Sequence, residues 1–154
     1  MIWEQLKEDL MITDLEAASN TDVFKALGGL LTEKGYTKDT YVNALIEREA
    51  EYPTGLDLME VGVAIPHTDA SHVNKNAIAI ATLKNPVEWI QMGSDDEPVG
   101  VKMVFMLSLA SKGHIEELQQ IIGIIQDIEL VKKMIEMKDP AAIIAAIKEK
   151  ESTM

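Results

Sequence analysis

The sequence predicts an α/β protein in which helices cover both faces of one mixed β-sheet. Apolar residues recur at helical spacing near both ends of the chain, short apolar runs in the middle are typical of buried strands, and turn residues separate these segments. The 154 residues are 47% hydrophobic and 26% charged. That length and composition suit a single domain, which we assign to residues 1–154 with a core of about 10–150.

The N-terminal third of the chain begins with a short segment of mixed polarity, and a longer amphipathic segment follows it. Residues 4–12 are compatible with either a short helix or an opening strand. Residues 19–35 form an amphipathic pattern with capping side chains at 19–21 and Gly35 at the end, so we predict a helix there. The pair Gly28–Gly29 lowers helix propensity and indicates a close approach to another element.

A second helix is predicted over residues 37–52. Thr37 is the candidate cap, and Tyr41 and Leu45 fall on the inward face. The residues at 53–55 include proline and glycine, and they predict a turn after the helix.

The middle of the chain supplies the strands. Three apolar runs, at 61–65, 77–83 and 101–110, predict buried strands, and 87–92 predicts a shorter one. The acidic residues at 93–100 are typical of a solvated loop.

Helices complete the chain after the last strand. We predict them over 111–127, 128–137 and 139–150, with Asp139 as the cap of the last helix and Pro140 at its first position.

The composition excludes several classes of protein. There are no cysteines, which removes disulfides, zinc–thiolate sites and thiol catalysis. The net charge of −12 argues against nucleic acid as a partner and suits docking to a basic protein. No apolar run is long enough to span a membrane, and the acidic N-terminus is unlike a signal peptide.

Two of the three histidines follow predicted strands. His67 comes after Pro66, which ends the run at 61–65, and His114 comes after the run at 101–110. If the two strands are neighbours, both rings emerge at one edge of the sheet, where ligands of open α/β sheets bind.

A phosphoryl-carrying histidine is one interpretation of these residues. His67 would accept the group, His114 would orient it, and Arg48 would bind the anion through positioning and electrostatics. Arg48 is the single arginine among 14 basic residues, and its planar fork suits phosphate. The plainer alternatives are a hydrogen-bonding loop histidine and a surface arginine.

A metal site is another interpretation. His67, Asp69, His72 and His114 are acceptable zinc ligands, but the spacing of the first two histidines is poor for one helical face. Asp69 is more simply explained as a cap or turn residue.

Three blocks of the sequence resemble a known family. These are "ALIERE…PTGL", then "GVAIPHTD", then "FMLSLASKGHIEELQQI". In that order they are similar to the enzyme IIA domains of the fructose–mannitol type, from the bacterial phosphoenolpyruvate-dependent sugar phosphotransferase system. The galactitol-specific branch is the most similar.

The resemblance implies a phosphotransferase without metal or organic cofactor. His67 would be phosphorylated by the phosphocarrier protein HPr, on the ring nitrogen farther from the backbone. It would pass the group to a cysteine of a cognate enzyme IIB, which works with a membrane enzyme IIC. His114 would support the site, Arg48 would stabilise the phosphate, and Thr54 would lie in a phosphate-binding turn, whereas His72 would not be catalytic.

The resemblance also implies a cytoplasmic protein that is not inserted into a membrane. Two other functions stay open from the sequence. One is a regulatory protein of the nitrogen-related type, which controls its partners through phosphorylation of the same histidine. The other is a metal-binding or hydrolytic protein.

Overall fold

A mixed sheet of five strands lies at the centre of the fold. The computed structural model describes residues 1–110 and 115–154. The strands are β1 (Met11–Leu15), β2 (Gly55–Asp57), β3 (Gly62–Ala64), β4 (Ala77–Ile90) and β5 (Pro98–Ser108). Their spatial order is β1-β4-β5-β3-β2. The pairs β1–β4 and β3–β5 are parallel, and the pairs β4–β5 and β2–β3 are antiparallel.

Helices are packed on both faces of this sheet. They are α1 (Asn20–Val23), α2 (Gly29–Glu33), α3 (Tyr41–Glu51), α4 (Ile115–Ile125), α5 (Ile128–Glu136) and α6 (Pro140–Ser152). Side chains of α1 to α3 belong to one buried apolar cluster, and side chains of α4 to α6 belong to the other. The predicted fold class is therefore confirmed. No helix within the described ranges is long and apolar enough to cross a membrane.

The side chains of β4 alternate between the two apolar clusters. Ile78 and Ile80 belong to the cluster of the C-terminal helices, whereas Ala79 and Ala81 belong to the cluster of the N-terminal helices. Successive side chains of a strand point to opposite faces, so this sequence places large residues on one face and small ones on the other.

The two strands predicted at 77–83 and 87–92 are one strand in the structure. Lys84, Asn85 and Pro86 lie between the two predicted strands, and all three are exposed. Pairing with β5 continues on either side of them after a register shift between Thr82 and Val87. Such a shift accommodates a proline that cannot donate to the ladder.

The turn predicted at 53–55 is also corrected, because Gly55 begins β2. A side chain at Gly55 would place its Cβ 2.6 Å from the carbonyl oxygen of Ile90, and a Cβ at Gly62 would clash with the carbonyl oxygen of Gly100. At both positions the backbone of another strand lies so close that only glycine fits. A three-residue strand is too short to show a period in the sequence.

The N-terminal segments resolve two open predictions. Residues 4–12 contain short 3₁₀ turns and the first residues of β1, so the opening strand is present. The helix predicted over 19–35 is helical from Asn20 to Glu33, but a π turn at Phe24–Gly28 widens its middle. Ser19 is the cap, and its hydroxyl accepts a hydrogen bond from the Asp22 N–H at 3.3 Å.

Two other capping predictions have opposite outcomes. The Asp139 carboxylate accepts a hydrogen bond from the Ala141 N–H at 3.0 Å, which confirms it as the cap of α6. Thr37 as the cap of α3 is wrong, because Thr40 occupies that position. Thr37 is buried and its hydroxyl hydrogen-bonds with that of Thr32 at 2.8 Å.

Helix α3 is held close to its neighbours. The buried Tyr41 hydroxyl donates to the Leu107 carbonyl of β5 at 2.6 Å, and burial raises the pKa of this phenol. A Cβ at Gly28 would lie 3.1 Å from Val42 Cγ2, so the predicted close approach occurs there, whereas nothing lies within 4 Å at Gly29. The position of α3 on the sheet is thus fixed at its N-terminal end.

Candidate functional site

The site begins where β3 ends. β3 and β5 are parallel neighbours, so their carboxyl ends lie at the same edge of the sheet. Beyond β3 the pairing continues for one bond, in which the Leu107 N–H donates to the Pro66 carbonyl at 3.0 Å. Proline then ends the strand, and His67 follows immediately outside it.

The imidazole of His67 is oriented by the backbone before it. Its ring is half-buried, and Nδ1 lies 2.9 Å from the carbonyl oxygen of Ile65. A carbonyl can only accept a hydrogen bond, so Nδ1 carries the proton. In the neutral ring, Nε2 therefore holds the free lone pair and is the nucleophilic atom.

Burial lowers the pKa of His67 below its usual value. The positive charge of Arg48 lowers this pKa as well, whereas the hydrogen bond to Ile65 and the negative charge of Asp69 raise it. Because burial is the largest of these effects, the ring stays neutral to a lower pH than a free histidine. Neutrality is what a nitrogen nucleophile requires.

Arg48 lies on the last turns of α3 and faces the loop after His67. Its Nη1 is 3.7 Å from Asp69 Oδ1, and its guanidinium lies over the ring of Tyr52, 5.1 Å from the centroid. The side chain of Arg48 is 34% exposed and that of Asp69 is 75% exposed. This arginine is therefore held by partners that leave it accessible to an anion.

Asp69 was predicted as a cap or turn residue, and its backbone takes part in a turn. It occupies the cap position before the 3₁₀ turn at Ala70–His72, but its carboxylate makes no capping hydrogen bond. Only its backbone carbonyl takes part in the turn, accepting from the His72 N–H at 3.2 Å. The carboxylate is directed to Arg48 instead.

A cleft of about 450 Å³ opens beside these residues. Arg48, Tyr52, Thr68, Asp69 and His72 contribute to its walls. The cleft thus brings the single arginine together with the loop that follows His67.

The buried pair of Glu49 and Thr54 was not predicted as a unit. Glu49 Oε2 accepts from the Thr54 N–H at 2.6 Å, and Oε1 accepts from the Thr54 hydroxyl at 2.7 Å. Both residues are buried. The Ile65 N–H donates to the Thr54 carbonyl at 3.3 Å, which links the turn to the strand before His67. A phosphate-binding role for Thr54 stays a prediction.

Glu49 carries a raised pKa because burial disfavours its charge, although both Thr54 hydrogen bonds oppose this. The indole N–H of Trp89 also lowers this pKa, although it makes no hydrogen bond of standard geometry. The sequence held a signal for this residue. Tyr41, Leu45 and Glu49 follow each other at four-residue spacing on the buried stripe of α3, and a carboxylate on such a stripe needs hydrogen-bonding partners.

The candidate metal ligands do not assemble in the described part of the chain. No group of three or more histidine, aspartate or glutamate side chains is placed there to hold a metal ion. His67 is hydrogen-bonded through Nδ1, Asp69 forms the ion pair described above, and His72 Nδ1 lies 2.8 Å from Thr40 Oγ1. His114 lies outside the described residues.

Comparisons with known proteins place the chain in a family. The galactitol-specific EIIA component of the phosphotransferase system of Escherichia coli K12 is 32% identical over 120 residues, covering 77% of this chain and 79% of that protein. An NMR structure of enzyme IIAMTL in complex with phosphorylated enzyme IIBMTL from Escherichia coli matches with a TM-score of 0.78 at 17% identity, over 94% of this chain and 97% of the other.

The crystal structure of the nitrogen regulatory protein IIA-Ntr from Neisseria meningitidis is also similar. It matches with a TM-score of 0.73 at 25% identity, over 95% of this chain and 98% of the other. The family described as "Phosphoenolpyruvate-dependent sugar phosphotransferase system, EIIA 2" matches residues 4–150. The chain therefore belongs to this enzyme IIA family of phosphotransferases, as the resemblance of its three sequence blocks predicted.

Proposed function

We propose that this protein carries a phosphoryl group from HPr to a cognate enzyme IIB for the uptake of galactitol or a related polyol. The observation that carries the proposal is the orientation of His67. Its Nδ1 proton is committed to the Ile65 carbonyl, which leaves Nε2 as the nucleophile of a neutral ring near Arg48.

In the first transfer, the lone pair of His67 Nε2 attacks the phosphorus of the phosphohistidine of HPr. The bond from phosphorus to the HPr nitrogen breaks, and its electron pair returns to that nitrogen. The proton on Nδ1 of His67 stays in place, so the phosphorylated ring becomes cationic while the HPr ring becomes neutral. No proton has to be moved during the step.

In the second transfer, a cysteine thiolate of enzyme IIB attacks the same phosphorus. The bond to His67 Nε2 breaks and its electron pair returns to the ring, which is neutral again. The transition state of such a transfer is loose, with weak bonds from phosphorus to both the entering and the leaving atom, so catalysis rests on positioning and charge. Arg48 supplies a planar fork for the phosphoryl oxygens, and His114 supports the group. No metal or organic cofactor is needed, because the phosphohistidine stores the transfer potential.

Galactitol is proposed because of the 32% identity to the galactitol-specific component. The sugar does not contact this protein, so its specificity rests on the enzyme IIB and membrane enzyme IIC that dock. The complex of a protein of this fold with phosphorylated enzyme IIBMTL supports enzyme IIB as the partner. The proposed location is the cytoplasm, where HPr and phosphoenolpyruvate are found.

A regulatory role is the second candidate, and the similarity to IIA-Ntr is the observation that favours it. Deleting the gene separates the two functions. A carrier is required for phosphoenolpyruvate-dependent galactitol uptake, and the variant His67→Ala fails to restore it. A regulator leaves uptake intact and changes other genes or enzymes.

Phosphorylation by phosphoenolpyruvate, enzyme I and HPr tests the assignment of His67 directly. The wild-type chain should become labelled, and His67→Ala should carry no stable label. His114→Ala should accept the label and pass it on slowly to enzyme IIB. Normal labelling of His67→Ala would show that another residue is the acceptor. His72→Ala serves as the control, because its ring is hydrogen-bonded to Thr40 rather than placed for transfer.

A further inference from the structure

We infer that Asp69 is a positioning residue that competes with the phosphoryl group for Arg48 and thereby keeps that group transferable. The inference rests on the proposed function, because it concerns the phosphorylated state of His67. It assigns a role in the reaction to a carboxylate that makes no capping bond in its own turn.

Asp69 lies close to both His67 and Arg48. It lies two residues after His67, and its Oδ1 is 3.7 Å from Arg48 Nη1. A distance of 3.7 Å with both side chains accessible to water describes a weak ion pair that can open. Arg48 can therefore exchange Asp69 for a phosphoryl oxygen without the loss of a buried contact.

The charges of Arg48 and Asp69 both reach the ring of His67. The arginine lowers the pKa of the ring and the aspartate raises it. In the unphosphorylated state these two charges therefore act on the ring in opposite directions. Phosphorylation adds about two negative charges, which Arg48 attracts and Asp69 repels.

This opposition matters because a carrier must release what it binds. If Arg48 were free, it would stabilise the phosphohistidine and oppose the second transfer. With Asp69 present, Arg48 is partly neutralised in both states, and the phosphoryl group gains less from binding. The carrier thus keeps more of the transfer potential that it received.

Glu47 offers a matched control on the same helix. It is exposed, lines the same cleft and lies one residue before Arg48, between the buried residues Leu45 and Glu49. No ion pair between Glu47 and Arg48 occurs among the described residues. Glu47→Gln therefore removes one negative charge from the cleft without releasing the arginine.

The test compares wild type, Asp69→Asn, Glu47→Gln and His67→Ala. Each is phosphorylated in two ways, by phospho-HPr and by phosphoramidate, a small phosphoryl donor that needs no protein partner. We expect Asp69→Asn to shift the phosphoryl equilibrium with HPr toward this chain by about fivefold, the size of one unit charge at high effective dielectric. Its phosphohistidine should pass to enzyme IIB more slowly by a similar factor.

A second measurement separates this role from a structural one. NMR titration of the His67 ring should show a lower pKa in Asp69→Asn than in wild type, because the charge that raises it is gone. Glu47→Gln should change the phosphoryl equilibrium by less than about twofold, as expected for a screened surface charge.

Equal effects of Asp69→Asn and Glu47→Gln, or no effect of either, would overturn the role of Asp69. Failure of the proposed function has a different signature. In that case phosphoramidate labels His67 and Asp69→Asn still stabilises the label, but HPr labels no variant, the wild type included.

Discussion

Two neighbouring residues of α3 take opposite parts in the site. Arg48 is one-third exposed and holds its partners, Asp69 and Tyr52, at 3.7 Å and 5.1 Å. Glu49 is buried and accepts two short hydrogen bonds from Thr54. One helix thus presents a loosely held cation to the cleft and a tightly held carboxylate to the interior.

This contrast separates contacts that must be exchanged during phosphoryl transfer from contacts that must be kept. The contacts of Arg48 are long and accessible to solvent, so exchanging them for contacts with a phosphoryl group costs little free energy. Those of Glu49 are short and buried, so breaking them leaves polar groups without partners. The fixed side of the helix determines where the exchangeable side stands.

The largest effect should come from Glu49→Ala. It leaves the buried N–H and hydroxyl of Thr54 unpaired, so we expect the free energy of unfolding to fall by about 2–4 kcal/mol, measured by urea denaturation. Glu47→Ala, an exposed change two residues earlier, should alter it by less than about 0.5 kcal/mol. Equal losses in both variants would mean that helix propensity, rather than the buried pair, is being measured.

Glu49 should also contribute a pH dependence to stability. Burial raises its pKa above the ordinary value of 4.5, so the folded state binds a proton more tightly than the unfolded state. Its contribution is therefore fully present below pH 4.5 and is lost as the pH rises through the raised pKa. Relative to Glu49→Gln, which cannot titrate, wild type should lose stability across that window. A constant difference between the two proteins at every pH would contradict this.

Next in size is the effect of Arg48→Lys. The variant keeps the charge but loses the planar fork, so we expect the phosphoryl transfer rate to fall by about tenfold. Because the side chain is accessible, the free energy of unfolding should change by less than about 1 kcal/mol. Rapid-quench measurement of transfer from HPr checks the rate, and an unchanged rate would return Arg48 to the role of an ordinary surface charge.

The smallest effect should come from the ring beneath Arg48. Tyr52→Leu removes a cation–π contact worth about 0.5–1 kcal/mol at an exposed site, so transfer should slow by about twofold to fivefold. Tyr52→Phe keeps the ring face and should transfer at the wild-type rate. If the phenylalanine variant is as slow as the leucine variant, the hydroxyl and not the ring is responsible.

The sequence was informative where one local rule decides the structure. A side-chain oxygen before a helix satisfies open N–H groups, and this rule predicted Asp139 and the three candidates at 19–21 as caps. Asp139 and Ser19, the first of those candidates, make these bonds. The order of the elements, in which helices precede and follow the strands, likewise predicted a mixed sheet covered by helices. Strand β2 was not predicted, because its three residues at Gly55–Asp57 are too few to show an alternation, although they pair with the neighbouring strand β3.

The candidate site divides in the same way. Pro66 and the strand before it placed His67 at the sheet edge from the sequence alone, and the scarcity of arginine singled out Arg48. The pairing of Asp69 with Arg48 joins residues 21 positions apart, so no local pattern could reveal it. Glu49 was recognisable as a buried carboxylate from its stripe, but its partner Thr54 depends on the path of the turn.

Gly55 and Gly62 support the candidate site although neither has a side chain that could take part in it. A residue with a Cβ at Gly55 would be forced against the backbone of β4 at Ile90, and one at Gly62 against the backbone of β5 at Gly100. Either change would displace the segment between Thr54 and His67. In a complete substitution scan scored by sugar uptake, these two positions should therefore tolerate as little variation as His67, while an exposed residue such as Glu47 should vary freely. Such a scan would identify the residues that support the site as well as those that take part in the transfer.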